Sequence, residues 1–181
     1  MAIENEKKYV LGISAPAKFM RELKVMEGAT AFNIEQAYLD TRTRLRKKEN
    51  QQTGDVSFFF TFKQITKQGL VEIETPISEL DWKLLQAECK KFLRKTRVCV
   101  PIKDRVWEVD FLISDTVDQP YLIMAEVEMN PGETDPGVIP EFIAENLIYE
   151  VERKDRRFDN VNLCSPLSVL VMVEKIKNGK L

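Results

Sequence analysis

Apolar and polar residues alternate with a period of two over most of the chain, the pattern of a strand with one buried face. The alternation predicts strands over 3–11, 37–47, 56–65, 70–75, 96–102, 106–114 and 121–130. Three segments have a helical period instead. A short helix follows Ser14 as its cap. A second is expected over 79–92, with Ser78 and Asp81 in capping-box-like spacing and Leu80, Leu84, Leu85 and Phe92 as apolar anchors. The last begins with Ser165 as cap and Pro166 in the first turn, buries Leu167, Leu170 and Val171, and stops near Gly179. Irregular chain is expected over 50–55 and 130–137, the latter holding Asn130-Pro131-Gly132 and Asp135-Pro136-Gly137. Strands outnumber helices and short turns join many of them, so the class is α+β with a mainly antiparallel sheet.

The strands are unusual in what alternates with their apolar residues. Side chains two apart share a face, and on that rule one face of each strand carries a set of charges. Glu4, Glu6 and Lys8 share the first face; Arg42, Arg44 and Arg46 the second. Lys63 follows beside Thr61, then Glu72 with Glu74, Lys95 with Arg97, Glu108 with Asp110, and Glu126 with Glu128. The opposite faces read as core: Phe58, Phe60 and Phe62; Val71 and Ile73; Val98 and Val100; Trp107, Val109 and Phe111; Ala125, Val127 and Met129. A solvated face usually mixes its charges. Two carboxylates about 5 Å apart on one face repel by roughly 3 kcal/mol at an effective dielectric near 20, unless a cation stands between them.

Composition narrows the chemistry. The chain has 181 residues, fits one domain over 1–181, and sets 27 Lys and Arg against 29 Asp and Glu for a net charge of −2. That balance gives no reason to expect broad nucleic-acid or anionic-membrane binding. Histidine is absent, which removes imidazole acid/base chemistry, His-ligated zinc and Ser-His-Asp machinery together. Cys89, Cys99 and Cys164 form no CxxC pair, so free thiols and a cytoplasmic location are expected. Residues 1–8 have no apolar stretch of the signal-peptide kind, and no run is long enough to span a membrane.

If the sheet curls with its charged face inward, acids and bases meet in one lumen. Carboxylates without His or Cys suit Mg²⁺ or Mn²⁺, and Arg and Lys at two-residue spacing suit phosphate oxygens. A site with both fits a phosphate chain bridged by a metal, and phosphoryl transfer there needs no histidine.

These residues resemble the CYTH, or triphosphate tunnel metalloenzyme, superfamily. Glu4-Asn5-Glu6-Lys7-Lys8 fits its N-terminal E-x-E-x-K motif. Tyr38-Leu39 through Thr43-Arg44-Leu45-Arg46 is similar to "YL…RxR", Thr61-Phe62-Lys63 to "TxK", Glu72-Ile73-Glu74 to a further E-x-E, Lys95-Thr96-Arg97 to "KTR", Trp107-Glu108-Val109-Asp110 to "WExD" and Ala125-Glu126-Val127-Glu128 to "AExE". Glu150-Val151-Glu152 and Arg157-Phe158-Asp159-Asn160 resemble the small bacterial inorganic triphosphatase branch, with Phe142 where that branch has Trp and Glu152 where it has Thr. The resemblance implies a closed eight-stranded antiparallel barrel with helices outside, and hydrolysis of a triphosphate with Mg²⁺ or Mn²⁺. It further implies that Glu4, Glu6, Asp110, Glu126 and Glu128 hold the metal. Lys8, Arg44, Arg46, Lys63, Lys95 and Arg97 would hold the substrate, with Lys95, Glu4 and Glu6 closest to the chemistry. Glu72, Glu74 and Glu108 would bind a second metal or fix the basic side chains.

Gly28 to Glu35 contains no tyrosine to partner the lysine, and Arg42 is expected at the tunnel rim. The expected substrate is a small triphosphate, foremost inorganic tripolyphosphate, and a homodimer is left open. Within catalysis the alternatives are an adenylate cyclase, a thiamine triphosphatase, or an RNA or nucleoside triphosphatase. Outside it stand a non-catalytic polyphosphate or nucleotide binding module, and an α+β domain whose charged sheet is merely solvated.

Overall fold

The structure, a computed structural model, describes residues 5–180. Nine strands form one sheet: β1 (Glu6–Leu11), β2 (Thr30–Tyr38), β3 (Thr43–Asn50), β4 (Val56–Thr66), β5 (Gly69–Pro76), β6 (Lys91–Ile102), β7 (Arg105–Ser114), β8 (Val117–Glu128) and β9 (Leu147–Val151). Four helices accompany them: α1 (Pro16–Lys24), α2 (Glu79–Gln86), α3 (Glu141–Ala144) and α4 (Pro166–Lys177). The strand order is β5-β4-β3-β2-β6-β7-β8-β1-β9, and every neighbouring pair is antiparallel. The α+β expectation holds. Closure into an eight-stranded barrel is not confirmed: among the described residues β5 and β9 are separate edges with no hydrogen-bonded pairing between them. The second edge of β1 is taken by β9 from Lys8↔Val151 to Leu11↔Leu147. The sheet still rolls far enough for residues of β5 and β1 to border one cavity.

The outer face is apolar and covered over most of its area, though not along β5. Tyr9, Val98, Val100, Trp107, Val109, Phe111, Ala125 and Val127 form the main core with Phe19 and Leu23 of α1 and Ile143 of α3. A smaller core joins Ala37 and Leu45 to Trp82 of α2, whose ring lies 5.5 Å from that of Phe58. A third core lies on the inner face, where the chain after β9 crosses it in two 3₁₀ turns, Arg156–Phe158 and Asn160–Asn162, before α4. There Phe158, Val161 and Leu163 cover Val10, Leu93, Leu112 and Met124. The Tyr121 hydroxyl donates to the Leu163 carbonyl at 2.9 Å and fixes this segment.

Several expected elements shift. Residues 37–47 are not one strand but the end of β2, a turn and the start of β3. The turn is built by the Asp40 carboxylate, which accepts from the amides of Arg42 and Thr43, each at 2.7 Å. The helix expected over 79–92 ends at Gln86, and Phe92 belongs to β6. Ser78 caps it as expected, accepting from the Asp81 amide, but Leu80 and Leu84 point to solvent while Trp82 and Leu85 pack. Ala15, not Ser14, is the N-cap of α1. Ser165 caps α4 in position only, its hydroxyl meeting Ser168 at 2.9 Å. Leu167, Leu170 and Val171 are exposed, and α4 buries Val169 and Ile176 instead. Ile73, expected in the core, is 59% exposed because no helix covers the outer face of β5. Among the described residues no helix is long and apolar enough to cross a membrane.

One backbone position carries a clear expectation. Gly28 has φ +72°, and a Cβ there would stand 2.8 Å from Cγ of Pro101. Gly28→Ala adds left-handed strain to a clash with a ring that cannot rotate away. A loss of about 2 kcal/mol in urea unfolding is expected.

Candidate active site

Register decides what faces inward. Glu6 lies opposite Glu128 and Lys8 opposite Glu126; Glu108 lies opposite Glu126, and Arg97 opposite Asp110. On the far wall Arg44 is opposite Thr61, Lys63 opposite Glu72, and Thr61 opposite Glu74. The result is a cavity of about 290 Å³. Of the residues expected from sequence it gathers Glu6, Lys8, Arg44, Arg46, Lys63, Glu72, Lys95, Arg97, Glu108, Glu126 and Glu128 on its walls. Asp110 sits behind the wall, bound to Lys95 and Arg97. Glu74 sits behind Arg44 and Arg46. Glu4 lies outside the described residues. Arg42 is at the exposed edge of the cavity, with Nη1 3.2 Å from Gln64.

Charge is arranged in two networks. In the first, Arg97 is the hub: Nε donates to Asp110 Oδ1 at 2.6 Å, Nη2 to Asp110 Oδ2 at 2.6 Å and Glu126 Oε2 at 2.7 Å, and Nη1 to Glu108. Asp110 also accepts from Lys95. Burial works against the Arg97 charge, yet Asp110, Glu126 and Glu108 together outweigh it and raise the pKa. Lys95 moves the other way. Its complete burial, then the Arg97 charge, lower its pKa despite Asp110 and Glu126. Burial opposes the Glu126 carboxylate, but Lys8 and then Arg97 hold it far below the usual range. Lys8 is correspondingly raised: burial pulls it down, and Glu126 and Glu6 more than restore it.

In the second network Arg44 Nη2 donates to Glu72 at 2.8 Å and to Thr61 and Glu74 at 3.2 Å each. Arg46 reaches Glu74 at 3.5 Å, and Lys63 reaches Glu72 at 2.8 Å. Burial, then its neighbour Arg44, pushes Arg46 down to about 10. Nε of Arg44 and Nε of Arg46 are both buried and have no hydrogen-bond partner. A buried donor left without an acceptor costs about 1–3 kcal/mol, more where the group is charged. Nη2 of Arg44 and Nη1 of Arg46 have carboxylate partners, and these two nitrogens have none.

The Glu126 shift has a direct consequence. Its folded pKa is below its unfolded one, so the stability it contributes is present above the ordinary carboxylate range and is lost as pH falls below it. Glu126→Gln is expected to flatten the acid side of the stability curve, measured as urea midpoints between about pH 7 and 3.

Some of the wall was not legible as a site. Gln36 and Tyr38 enter it from β2, and Asp159 and Asn160 from the segment after β9. No tyrosine occurs where a partner for the lysine was sought, and the cavity's aromatic hydroxyl is that of Tyr38, donated to Gln36 Oε1 at 2.8 Å. The x-Tyr38-Leu39 motif was the available signal. For a cation, the donor chemistry fits a hard ion: Glu6 faces Glu128 and Glu126 faces Glu108 across adjacent strands, all oxygen. Among the described residues no three acids stand as a ready cage, since several of their oxygens are turned onto Arg and Lys.

No family model and no curated protein matches the chain. Solved structures do. A proposed adenylate cyclase from Bacillus halodurans shares 18% identity over 71% of this chain and 81% of its own, with a TM-score of 0.47. The PH1819 protein of Pyrococcus horikoshii OT3 shares 18% over 97% and 89%, at 0.45. The Pct1 RNA triphosphatase of S. pombe shares 13% over 71% and 63%, at 0.35. At these identities and scores the likeness carries no weight of its own, and the functional reading rests on the motifs and on the charged cavity to which they contribute.

Proposed function

We propose that the chain is a triphosphate tunnel hydrolase of the CYTH type, cleaving a linear triphosphate, foremost inorganic tripolyphosphate, with Mg²⁺ or Mn²⁺. The observation that carries the reading is that Arg44, Arg46 and Lys63 line one cavity together with Glu6, Glu108, Glu126 and Glu128. A solvated sheet has no reason to gather Arg44, Arg46, Lys63 and Arg97 around one cavity, and an anion-binding module has no reason to line the same cavity with Glu6, Glu108, Glu126 and Glu128.

In this reading Arg44, Arg46 and Lys63 bind the phosphate chain, with Glu72 and Glu74 holding their rotamers until the anion arrives. Lys8 and Arg97 neutralise the oxygens nearest the acidic wall. Glu6, Glu126 and Glu128, with Glu4, would hold the divalent ion. When bound, that ion supplies charge neutralisation and activates water for attack on a terminal phosphorus. Lys95, held by Asp110, hands a proton to the departing phosphate oxygen or steadies its charge. Asp110 acts through Lys95 and Arg97 as a positioning residue.

Initial rates on tripolyphosphate, ATP, thiamine triphosphate and an RNA 5′-triphosphate, run side by side with each metal, test the substrate. The highest kcat/KM is expected for tripolyphosphate; a higher value for another member of the set would reassign the substrate within the same site.

A further inference from the structure

One neutral side chain of the lumen carries a donor that the protein leaves unused. Gln36 is 3% exposed and stands on the inner face of β2, opposite Arg46 of β3 and Leu93 of β6. Tyr38, two residues on and on the same face, orients its amide: the hydroxyl donates to Oε1 at 2.8 Å and has no other hydrogen bond among the described residues. Burial pushes the Tyr38 pKa up, so the hydroxyl keeps its proton and Oε1 is the end of the amide that it occupies. Nε2 is left with two protons and no hydrogen bond among the described residues, on a residue that borders the lumen.

The surroundings cannot take those protons. Arg46 lies across one strand pair and a leucine across the other, and a guanidinium has no lone pair to offer. Gln36 also borders a groove of about 410 Å³ toward Phe92, Ile113 and Tyr121. The charged groups there are already matched, Glu35 with Lys47 and Arg94 with Asp115. A buried donor without an acceptor is a cost to the fold. A cation in this place would cost more, since Arg46 is already pushed down to about 10 by burial and Arg44. A neutral amide adds donors to a crowded basic wall without adding charge.

Resting on the reading of the lumen as a triphosphate site, we propose that Gln36 is a substrate-binding residue, whose Nε2 donates to a non-bridging oxygen of the phosphoryl group held by Arg46. Tyr38 is its positioning residue: by occupying Oε1 it turns the donor of the amide, and not the acceptor, toward the anion. A phosphoryl group has oxygens enough for Nε2 and for the unpartnered Nε of Arg46 together. Because the amide is uncharged, its grip on the anion is not a matter of ion pairing and does not fade with salt as that of an arginine does.

Two variants test this by calorimetric titration with tripolyphosphate in the presence of a chelator, over a series of salt concentrations. Gln36→Met removes the donor at similar volume. Its Kd is expected to rise at least about tenfold, while the slope of log Kd against log salt stays that of the wild type. Gln36→Glu keeps an acceptor for Tyr38 and sets a carboxylate opposite Arg46. It should raise the urea midpoint and yet weaken tripolyphosphate binding further, a pairing of signs that damage to the fold does not produce. Wild-type affinity in Gln36→Met would overturn the inference and leave the hydrolase reading intact. A flattened salt slope in that variant would overturn it too, because the loss would then belong to the arginines. The wild-type chain gives a readout that needs no variant: the Gln36 side-chain amide protons, assigned through bonds by NMR, should shift downfield as tripolyphosphate is added. Resonances unmoved at saturation would contradict the contact. A wild-type chain that neither binds nor cleaves tripolyphosphate would remove the reading and the inference together.

Discussion

Arg97→Ala should be the most damaging single change in the protein, costing about 3–5 kcal/mol of stability and at least about 100-fold in turnover. The residue bridges Glu108, Asp110 and Glu126 on two neighbouring strands. Asp110 and Glu126 are both buried. Removing the guanidinium leaves those carboxylates close together in a poorly solvated site, where like charges drive each other toward protonation. Urea midpoints and tripolyphosphate kinetics read the two effects. The stability loss should shrink as pH falls through the carboxylate range, because protonation relieves the repulsion. A stability loss below about 1 kcal/mol at neutral pH would show that the acids are already solvated.

Lys95→Met should separate chemistry from stability. Lys95 is as deeply buried as the core aromatics, and its ammonium is held in place by Asp110 while burial and Arg97 lower its pKa. Met has a similar volume and no charge to desolvate, and Asp110 keeps both of its Arg97 bonds. Loss of one partner from a buried pair ordinarily costs about 3–5 kcal/mol, but the lowered pKa means that the Lys95 charge opposes folding, and Asp110 stays paired with Arg97. Stability is therefore expected within about 1 kcal/mol of wild type, whereas kcat should fall about 10²- to 10⁴-fold, the range for a lost general acid. The wild-type enzyme should carry the signature of the same group. A lowered pKa means that the protonated lysine is lost as pH rises, earlier than an ordinary lysine near 10.4. Activity should thus decline on the alkaline side below that value, and Lys95→Arg should move the decline to higher pH. An unchanged kcat in Lys95→Met would remove the residue from the mechanism.

How far the sequence discloses this site follows from where its side chains stand. Strands with strict alternation were legible, because Trp107, Val109 and Phe111 against Glu108 and Asp110 can only be a two-faced strand. β2 was not: Asn33, Glu35 and Gln36 fall on both its faces, and the turn after it is made by Asp40 without glycine or proline. Reading 37–47 as one strand removed Gln36 from the expected wall and left β2 unpredicted. The filled end of the lumen was present in the sequence in a subtler form. On four strands the inward face changes from charged to apolar within two residues: Lys8 to Val10, Lys95 to Leu93, Asp110 to Leu112 and Glu126 to Met124. In the registered sheet the change is level between β1 and β8, then steps by two residues at each further strand, with Asp110 opposite Met124 and Lys95 opposite Leu112. Each strand alone shows only an alternation that stops early. The placement of β9, five residues long, on the edge of β1 could not be read at all. Nothing in Leu147–Val151 names its partner. The exposed Leu167 and Leu170 have a similar origin: helical period marks an apolar stripe, and α4 packs through Val169 and Ile176 instead.

The most direct measurement is phosphate release from tripolyphosphate by the purified chain with Mg²⁺ or Mn²⁺, with ATP in parallel and a chelator as control. Metal-dependent release that exceeds the rate on ATP and vanishes with chelator is the expected result. No release with either metal, together with no rise in melting temperature on adding tripolyphosphate, would mean that the buried arginines and the acidic wall serve the sheet alone.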